Sequence, residues 1–345
     1  MATLFNTQPM ALQTAFAELK RQALEQPSVL VGSPGSVVTR TNKGRRFLYR
    51  DYYGPDAKKA ADYIGPAGDA AAESRAAELR EQIALANALI EQASLLAQHG
   101  YVRVDARTSA ILAALANNGL FRAGALLVGS HAYGALLNEL GVRAAATATE
   151  DVDVARHRRL ALDGAKSFEE MLHDSRVALR PVPPLVRHQA SASWKPPGPD
   201  RLRVDLLMPT RGDAVTVLPT PELRAHATAL PWLGYLTETS MPAVVLGRSA
   251  MVPVHVPQPE RLACHKMLVS QLRRDTSEKA AKDIEQAATL VAVLAEVSPE
   301  ALEAAFARVP TKVRAKARRG ARRVLTRLEQ TAHQSAVDLV KALVK

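Results

Sequence analysis

The sequence predicts an α+β protein, and three patterns carry that reading. Stretches rich in β-branched and aromatic residues, at 37–41 and 47–53, lie close together early in the chain, as in a hairpin or small meander. Short apolar runs separated by prolines and polar loops fill the middle, as in a mixed β-sheet. Helical periodicity flanks that block, over 69–98 and again from Pro259 onward, so helices and strands are segregated and do not alternate. The expected organisation is an N-terminal helix, β-hairpin and long-helix module over 1–118, a mixed-sheet core over 119–256, and a C-terminal helical domain with a basic tail over 257–345.

Taken in order, residues 8–26 form an amphipathic helix, with Leu12, Phe16 and Leu19 at helical spacing and Pro27 ending it. A Gly/Ser/Pro loop at 32–36 leads into strands at 37–41, 47–53 and 63–66. In the helix 69–98, Leu79, Ile83, Ala86, Ile90, Ala93 and Ala97 recur at heptad-like spacing. That stripe suits an antiparallel partner inside the chain or a second copy in a homodimer. Gly100 closes the helix. Asp105 caps a shorter one, and Asn117, Asn118 and Gly119 then turn the chain into an apolar strand at 125–128. Beyond it come a helix near 168–172 and strands near 177–182, 191–194, 202–208, 244–246 and 252–256. Pro259 opens a helix over 260–273, and Thr276 or Ser277 caps another over 278–297.

Composition excludes several classes. A chain of 345 residues, 47% of them apolar, can bury a large core, yet no run approaches the roughly eighteen apolar residues of a membrane helix. Residues 1–9 lack the charged-then-apolar order of a signal peptide. The single cysteine, Cys264, excludes an internal disulfide framework and a multi-cysteine zinc site. Both observations point to the cytoplasm. The net charge of +11 favours a polyanionic partner, nucleic acid above all. No Walker-type Gly-x4-Gly-Lys-Ser/Thr occurs, nor a Gly-x-Ser-x-Gly elbow that would make Ser130 a hydrolase nucleophile.

The chemistry concentrates in LLVGSHAYGALLNELGVRAAATATEDVDV, residues 126–154. An apolar strand breaks at Gly129-Ser130 and continues as a helix, whose free N–H groups and positive dipole end suit a phosphate. His131, in the first turn, is a candidate phosphate contact or a packing residue. Asp151 and Asp153 alternate with Val152 and Val154, so both carboxylates share one strand face, about 6.6–6.8 Å apart. Such a pair suits two hard cations of the kind used in in-line phosphoryl chemistry. Glu150, one residue out of phase, should face away.

The strand ending in Gly129-Ser130, the helix after it and Asp151-x-Asp153 on the next strand resemble the DNA polymerase β-type nucleotidyltransferase superfamily. The resemblance covers about residues 121–297. It implies a third carboxylate on a later strand, for which Asp205 in Arg203-Val204-Asp205-Leu206-Leu207 is the candidate. It further implies an NTP substrate, ATP among the candidates, and two Mg²⁺ or Mn²⁺ ions held by Asp151, Asp153 and Asp205. Asp205 would also help deprotonate an acceptor hydroxyl. Pro-Glu-Arg-Leu-Ala-Cys-His-Lys at 259–266, with Lys282-Asp283 downstream, is similar to one bacterial branch. More distantly it resembles the nucleotidyltransferase toxins of abortive-infection and toxin–antitoxin systems, which implies an antitoxin-like partner. On that resemblance Lys266 would hold the triphosphate; Asp283 would orient it, or pair with Lys279 or Lys282. Twenty residues separate Ser130 from Asp151, more than the superfamily usually carries, and the Ala/Thr-rich 144–149 is expected to loop out.

Two basic regions bear on the acceptor. In the early strands Phe47, Tyr49, Tyr52, Tyr53 and Tyr63 interleave with Arg40, Lys43, Arg45, Arg46 and Arg50, a pattern that serves single-stranded nucleic acid. In the tail, Lys312, Lys316, Arg319, Arg323 and Arg327 follow one helical face, beside an apolar stripe of Val313, Ala317, Val324 and Leu328. RNA, such as a tRNA end, is the favoured acceptor; a protein or small molecule is the alternative within the same chemistry. A catalytically silent nucleic-acid-binding protein of the same fold is the alternative outside it, with both basic regions solvated faces at the least.

Overall fold

The computed structural model describes residues 2–145, 150–162, 166–184, 189–210, 212–273 and 278–345. The chain begins with β1 (Phe5–Thr7) and α1 (Met10–Glu25), then β2 (Ser36–Asn42), β3 (Arg45–Tyr53) and β4 (Lys59–Pro66). The last three form an antiparallel sheet in that order, as the aromatic and β-branched runs predict. Next comes the long helix α2 (Ala70–Gln98), whose Asp69 cap accepts from the Ala72 N–H. Part of its stripe is covered within the chain: Ala93 and Ile90, with the adjoining Leu89 and Leu96, pack with Phe16 and Leu19 of α1 and with Val244, Leu246 and Met251. Farther up α2, Ala72 and Ala76 pack on Leu48 of β3.

The central block runs β5 (Arg103–Val104), α3 (Ala106–Asn117), β6 (Ala125–Val128), α4 (Gly129–Glu139), β7 (Val142–Ala144), β8 (Asp151–Arg156) and α5 (Phe168–His173). It continues with β9 (Arg180–Pro181), β10 (Ser193–Lys195), β11 (Arg203–Thr210), β12 (Thr216–Thr220), β13 (Ala225–Pro231), α6 (Leu233–Thr237), β14 (Ser240–Gly247) and β15 (Met251–Pro257). Asp105 caps α3 as expected, accepting from the N–H groups of Arg107 and Thr108. Of the stretch 177–182, only Arg180–Pro181 pairs as a strand; Pro181 cannot donate to a ladder, and Pro183 and Pro184 follow directly.

Strand β11 organises the main, mixed sheet. Along one edge it pairs in parallel with β8, whose far edge meets β6 antiparallel. Along its other edge β10 pairs antiparallel with the first half and β13 parallel with the second, while β12 closes on β13. Strand β6 is buried throughout, while β8 and β11 bury one face through Val152, Val154, Val204 and Leu206. A second small sheet, β15-β14-β5, carries α1 and α2.

The chain ends with α7 (Pro259–Ser270), α8 (Glu278–Val297), α9 (Pro299–Ala307), α10 (Thr311–Leu328) and α11 (Gln334–Val344). Pro259 sits in the first turn of α7; the caps expected at Thr276 and Ser277 lie outside the described residues, as do four of the six residues of 144–149. In α10 the expected apolar stripe is buried, together with Gly320 and Ala321. A Cβ on Gly320 would stand 2.0 Å from the Met267 carbonyl oxygen, so glycine sets how closely α10 approaches α7. One hydrophobic core reaches from Phe5 through the sheet to Val340. Among the described residues no helix is long and apolar enough to cross a membrane.

Candidate active site

Parallel pairing of β8 with β11 puts Asp205 directly opposite Asp153 and Arg203 opposite Asp151. Cross-strand neighbours in a sheet point the same way, and alternate residues share a face. Asp151, Asp153 and Asp205 therefore occupy one face, with Val152, Val154, Val204 and Leu206 buried on the other. Antiparallel pairing sets Val128 opposite Asp153, which brings the end of β6 and the start of α4 to the same spot.

Gly129 explains that junction. Its φ of +69° lies in the left-handed region, and a Cβ there would come 2.2 Å from Asp153 Oδ2. Only glycine can both turn β6 into α4 and leave room for that carboxylate. Ser130 follows, half-buried, in the helix's first turn, where backbone N–H groups have no partner within the helix. His131 is buried, and burial pushes its imidazole down to about 4, so it is neutral near pH 7.

The carboxylates differ in surroundings. Asp153 is pushed up to about 7, first by burial, then by the negative charges of Asp205 and Asp151; Lys266 and Lys279 oppose the rise. Asp151 is 3.9 Å from the Lys279 ammonium. Asp205 Oδ1 accepts from the Ser193 hydroxyl and, at 2.9 Å, from Arg203 Nε. Arg203 also donates to Ser193, which closes a small network around Asp205. Among the described residues no three acidic, imidazole or thiol groups converge closely enough, as they stand, to ligate one ion. The donor set nonetheless fits a hard divalent cation: the donors are carboxylate oxygens, and the like charges of Asp205 and Asp151 on Asp153 are offset only in part by Lys266 and Lys279.

Lys266 and Asp283 are both buried and bonded to each other at 2.8 Å, while Arg273 Nε donates to the second Asp283 oxygen at 2.8 Å. Asp283 thus pairs with Lys266 and Arg273, in place of Lys279 or Lys282. Lys279 reaches Asp151 instead, because the start of α8 lies over the carboxylate face. Glu150 is exposed, beside Ser130 and His131 on a neighbouring cavity. Arg203, Ser193 and Arg273 escape a sequence reading, as does the place of Lys279 at Asp151; each is an ordinary polar residue until strand register or helix packing places it.

A mixed sheet that gathers three carboxylates on one face, against a glycine-serine helix start, defines the class of nucleotidyl-transfer proteins. Residues 106–311 match the model of a family described as nucleotidyltransferase, and the chain belongs to that family. The match runs from α3 to the start of α10 and leaves out the β2–β4 module and nearly all of the basic helix. No curated protein and no solved structure matches the chain.

Proposed function

We propose that this nucleotidyltransferase moves an NMP from an NTP to the hydroxyl of an RNA end, using divalent cations at Asp151, Asp153 and Asp205. The observation that carries the reading is the register of Asp205 with Asp153, with Asp153 lodged against Gly129 at the start of α4. Bound Mg²⁺ or Mn²⁺ would offset the triphosphate's charge and favour loss of the acceptor proton. The chain's own groups supply the rest. The first N–H groups of α4 and the Ser130 hydroxyl hold the β- and γ-phosphates. Lys266, kept in place by Asp283, adds positive charge beside Asp153. Asp205, oriented by Ser193 and Arg203, takes the acceptor proton. The acceptor oxygen then bonds to the α-phosphorus as the bond from that phosphorus to the bridging oxygen breaks. Pyrophosphate leaves with the electron pair.

RNA is favoured because part of the positive charge of α10 is exposed where, among the described residues, no acidic partner quenches it. Arg318, Arg319 and Arg322 of α10 are exposed, whereas Lys312 is paired with Asp213 and Arg327 with Glu285. Similarity to the nucleotidyltransferase toxins extends the reading to a cytoplasmic, toxin-like role restrained by an antitoxin-like protein. The test compares the wild-type chain with Asp151→Asn/Asp153→Asn in transfer to total cellular RNA and in RNA binding. The double variant should lose transfer and keep binding. Transfer unaffected by the change would refute the site; binding and cellular effects intact, with no transfer by either chain, would favour a silent binding protein. Label on protein or on a small molecule would reassign the acceptor.

A further inference from the structure

A cavity of about 530 Å³ lies between α4 and the β5–β14 edge. That volume lies in the range of ligand sites and suits about one nucleotide. Its charge is unbalanced. Arg103 donates to the Ser94 hydroxyl and the Gly247 carbonyl, both at 3.2 Å, but its Nε is buried with no partner among the described residues. The Arg248 guanidinium stands close enough that, after burial, it is the second cause lowering the pKa of Arg103. No carboxylate among the described residues pairs with either. Two carboxylates share the lining without pairing with either arginine: Asp105, whose oxygens cap α3, and Glu150, which is exposed; Asp200 binds Arg107.

His131 supplies an independent sign. It is 8% exposed, it lines the same cavity, and its Nε2 has no partner among the described residues. Native proteins seldom leave such atoms unsatisfied, and a bound group is one common reason. Val102, Val245 and Leu246 offer an apolar wall for a flat ring. The inner end reaches Ser130, next to Gly129 and hence to Asp153.

We propose that this cavity is the acceptor subsite and takes the terminal nucleotide of a nucleic-acid acceptor. Its phosphodiester lies between Arg103 and Arg248, a base or ribose edge meets His131, and its free hydroxyl points past Ser130 toward Asp153. The assignment of that hydroxyl rests on the transfer reading above; the phosphate-binding role of the cavity does not. Arginine suits this task because its fork of donors matches phosphate oxygens.

The test measures equilibrium binding of two probes to the full-length chain: the dinucleotide CpA, with one phosphodiester and a free 3′-hydroxyl, and a Mg²⁺-complexed non-hydrolysable ATP analogue. In Arg103→Gln/Arg248→Gln the CpA dissociation constant should rise about tenfold or more, as expected for losing a charge-assisted contact, with the ATP analogue changed less than about threefold. Arg248→Gln alone, which leaves the Arg103 bonds to Ser94 and Gly247 in place, guards against misfolding and should weaken CpA in the same direction. Loss of the ATP analogue with CpA unchanged would assign the cavity to the donor and overturn the proposal. Unchanged binding of both probes, or no saturable CpA binding by the wild type, would overturn it as well. Both readouts are binding, so a chain that binds CpA as described yet transfers nothing would fail the reaction alone.

Discussion

Replacing Asp153 by Asn should stabilise the protein wherever divalent cations are absent. Folding moves this carboxyl from its ordinary value of 3.8 to about 7, chiefly by burial and then by Asp205 and Asp151. An acid raised in this way binds more protons folded than unfolded between about pH 4 and pH 7, so stability falls as pH rises through that window and levels off above it. The full shift corresponds to about 4 kcal/mol, an upper bound because side chains and water rearrange around the charge. About half of that is expected to be recovered in Asp153→Asn, which keeps the shape and removes the charge. For a chain of this size about 2 kcal/mol raises the melting temperature by roughly 3 °C. Thermal melts at pH 5 and pH 8, in EDTA and then in Mg²⁺, read this directly. The variant should exceed the wild type at pH 8 in EDTA, by less at pH 5, and Mg²⁺ should stabilise the wild type more than the variant. A variant that melts below the wild type at pH 8 in EDTA, with equal Mg²⁺ stabilisation of both chains, would refute the reasoning.

Three other outcomes follow from the same geometry. Gly129→Ala places a non-glycine residue at φ +69° and a Cβ 2.2 Å from Asp153, so it should cost about 1–3 kcal/mol in a denaturant titration and abolish transfer. Asp283→Ala strands the buried Lys266 charge and should cost about 3–5 kcal/mol, whereas Lys266→Met leaves Asp283 bonded to Arg273 and should cost less than half as much; equal losses would contradict the buried-pair assignment. Replacing Arg318, Arg319 and Arg322 by Gln should weaken RNA binding and lower the salt slope by about 2–3, if each meets one phosphate, without changing the melting temperature.

Much of this was legible in the sequence because local rules governed it. The alternation of Asp151 and Asp153 with valines fixed a strand and its face, and Asp105 announced a helix start that its cap fulfils. The central sheet was visible as apolar runs, but its order was not. That Asp205 stands opposite Asp153, and that β10 and β13 share the other edge of β11, depends on pairing between distant segments that periodicity cannot encode. The same limit hid the partners of Asp283, since Arg273 and Lys266 converge on it only through the packing of α7 on α8. In α2 the heptad-like positions marked the inner face, yet Leu89 and Leu96, one residue away from that pattern, are more deeply buried than their neighbours Ile90 and Ala97. The basic face of α10 was legible as a helical stripe, but its partners were not: Lys312 and Arg327 pair with Asp213 and Glu285, acids brought near by tertiary structure. The cavity beside α4 left no sequence signal, because Arg103, His131 and Arg248 are scattered residues that meet only in the fold.

The most direct test of the central claim uses two labels on one nucleotide. The purified chain is incubated with cellular RNA, Mg²⁺ and each NTP in turn, carrying label either at the α- or at the γ-phosphate. Nucleotidyl transfer predicts RNA labelled from the α-position alone, release of labelled pyrophosphate from the γ-position, and loss of both in Asp151→Asn/Asp153→Asn. RNA labelled from the γ-position, or α-label incorporated equally by the double variant, would contradict the account.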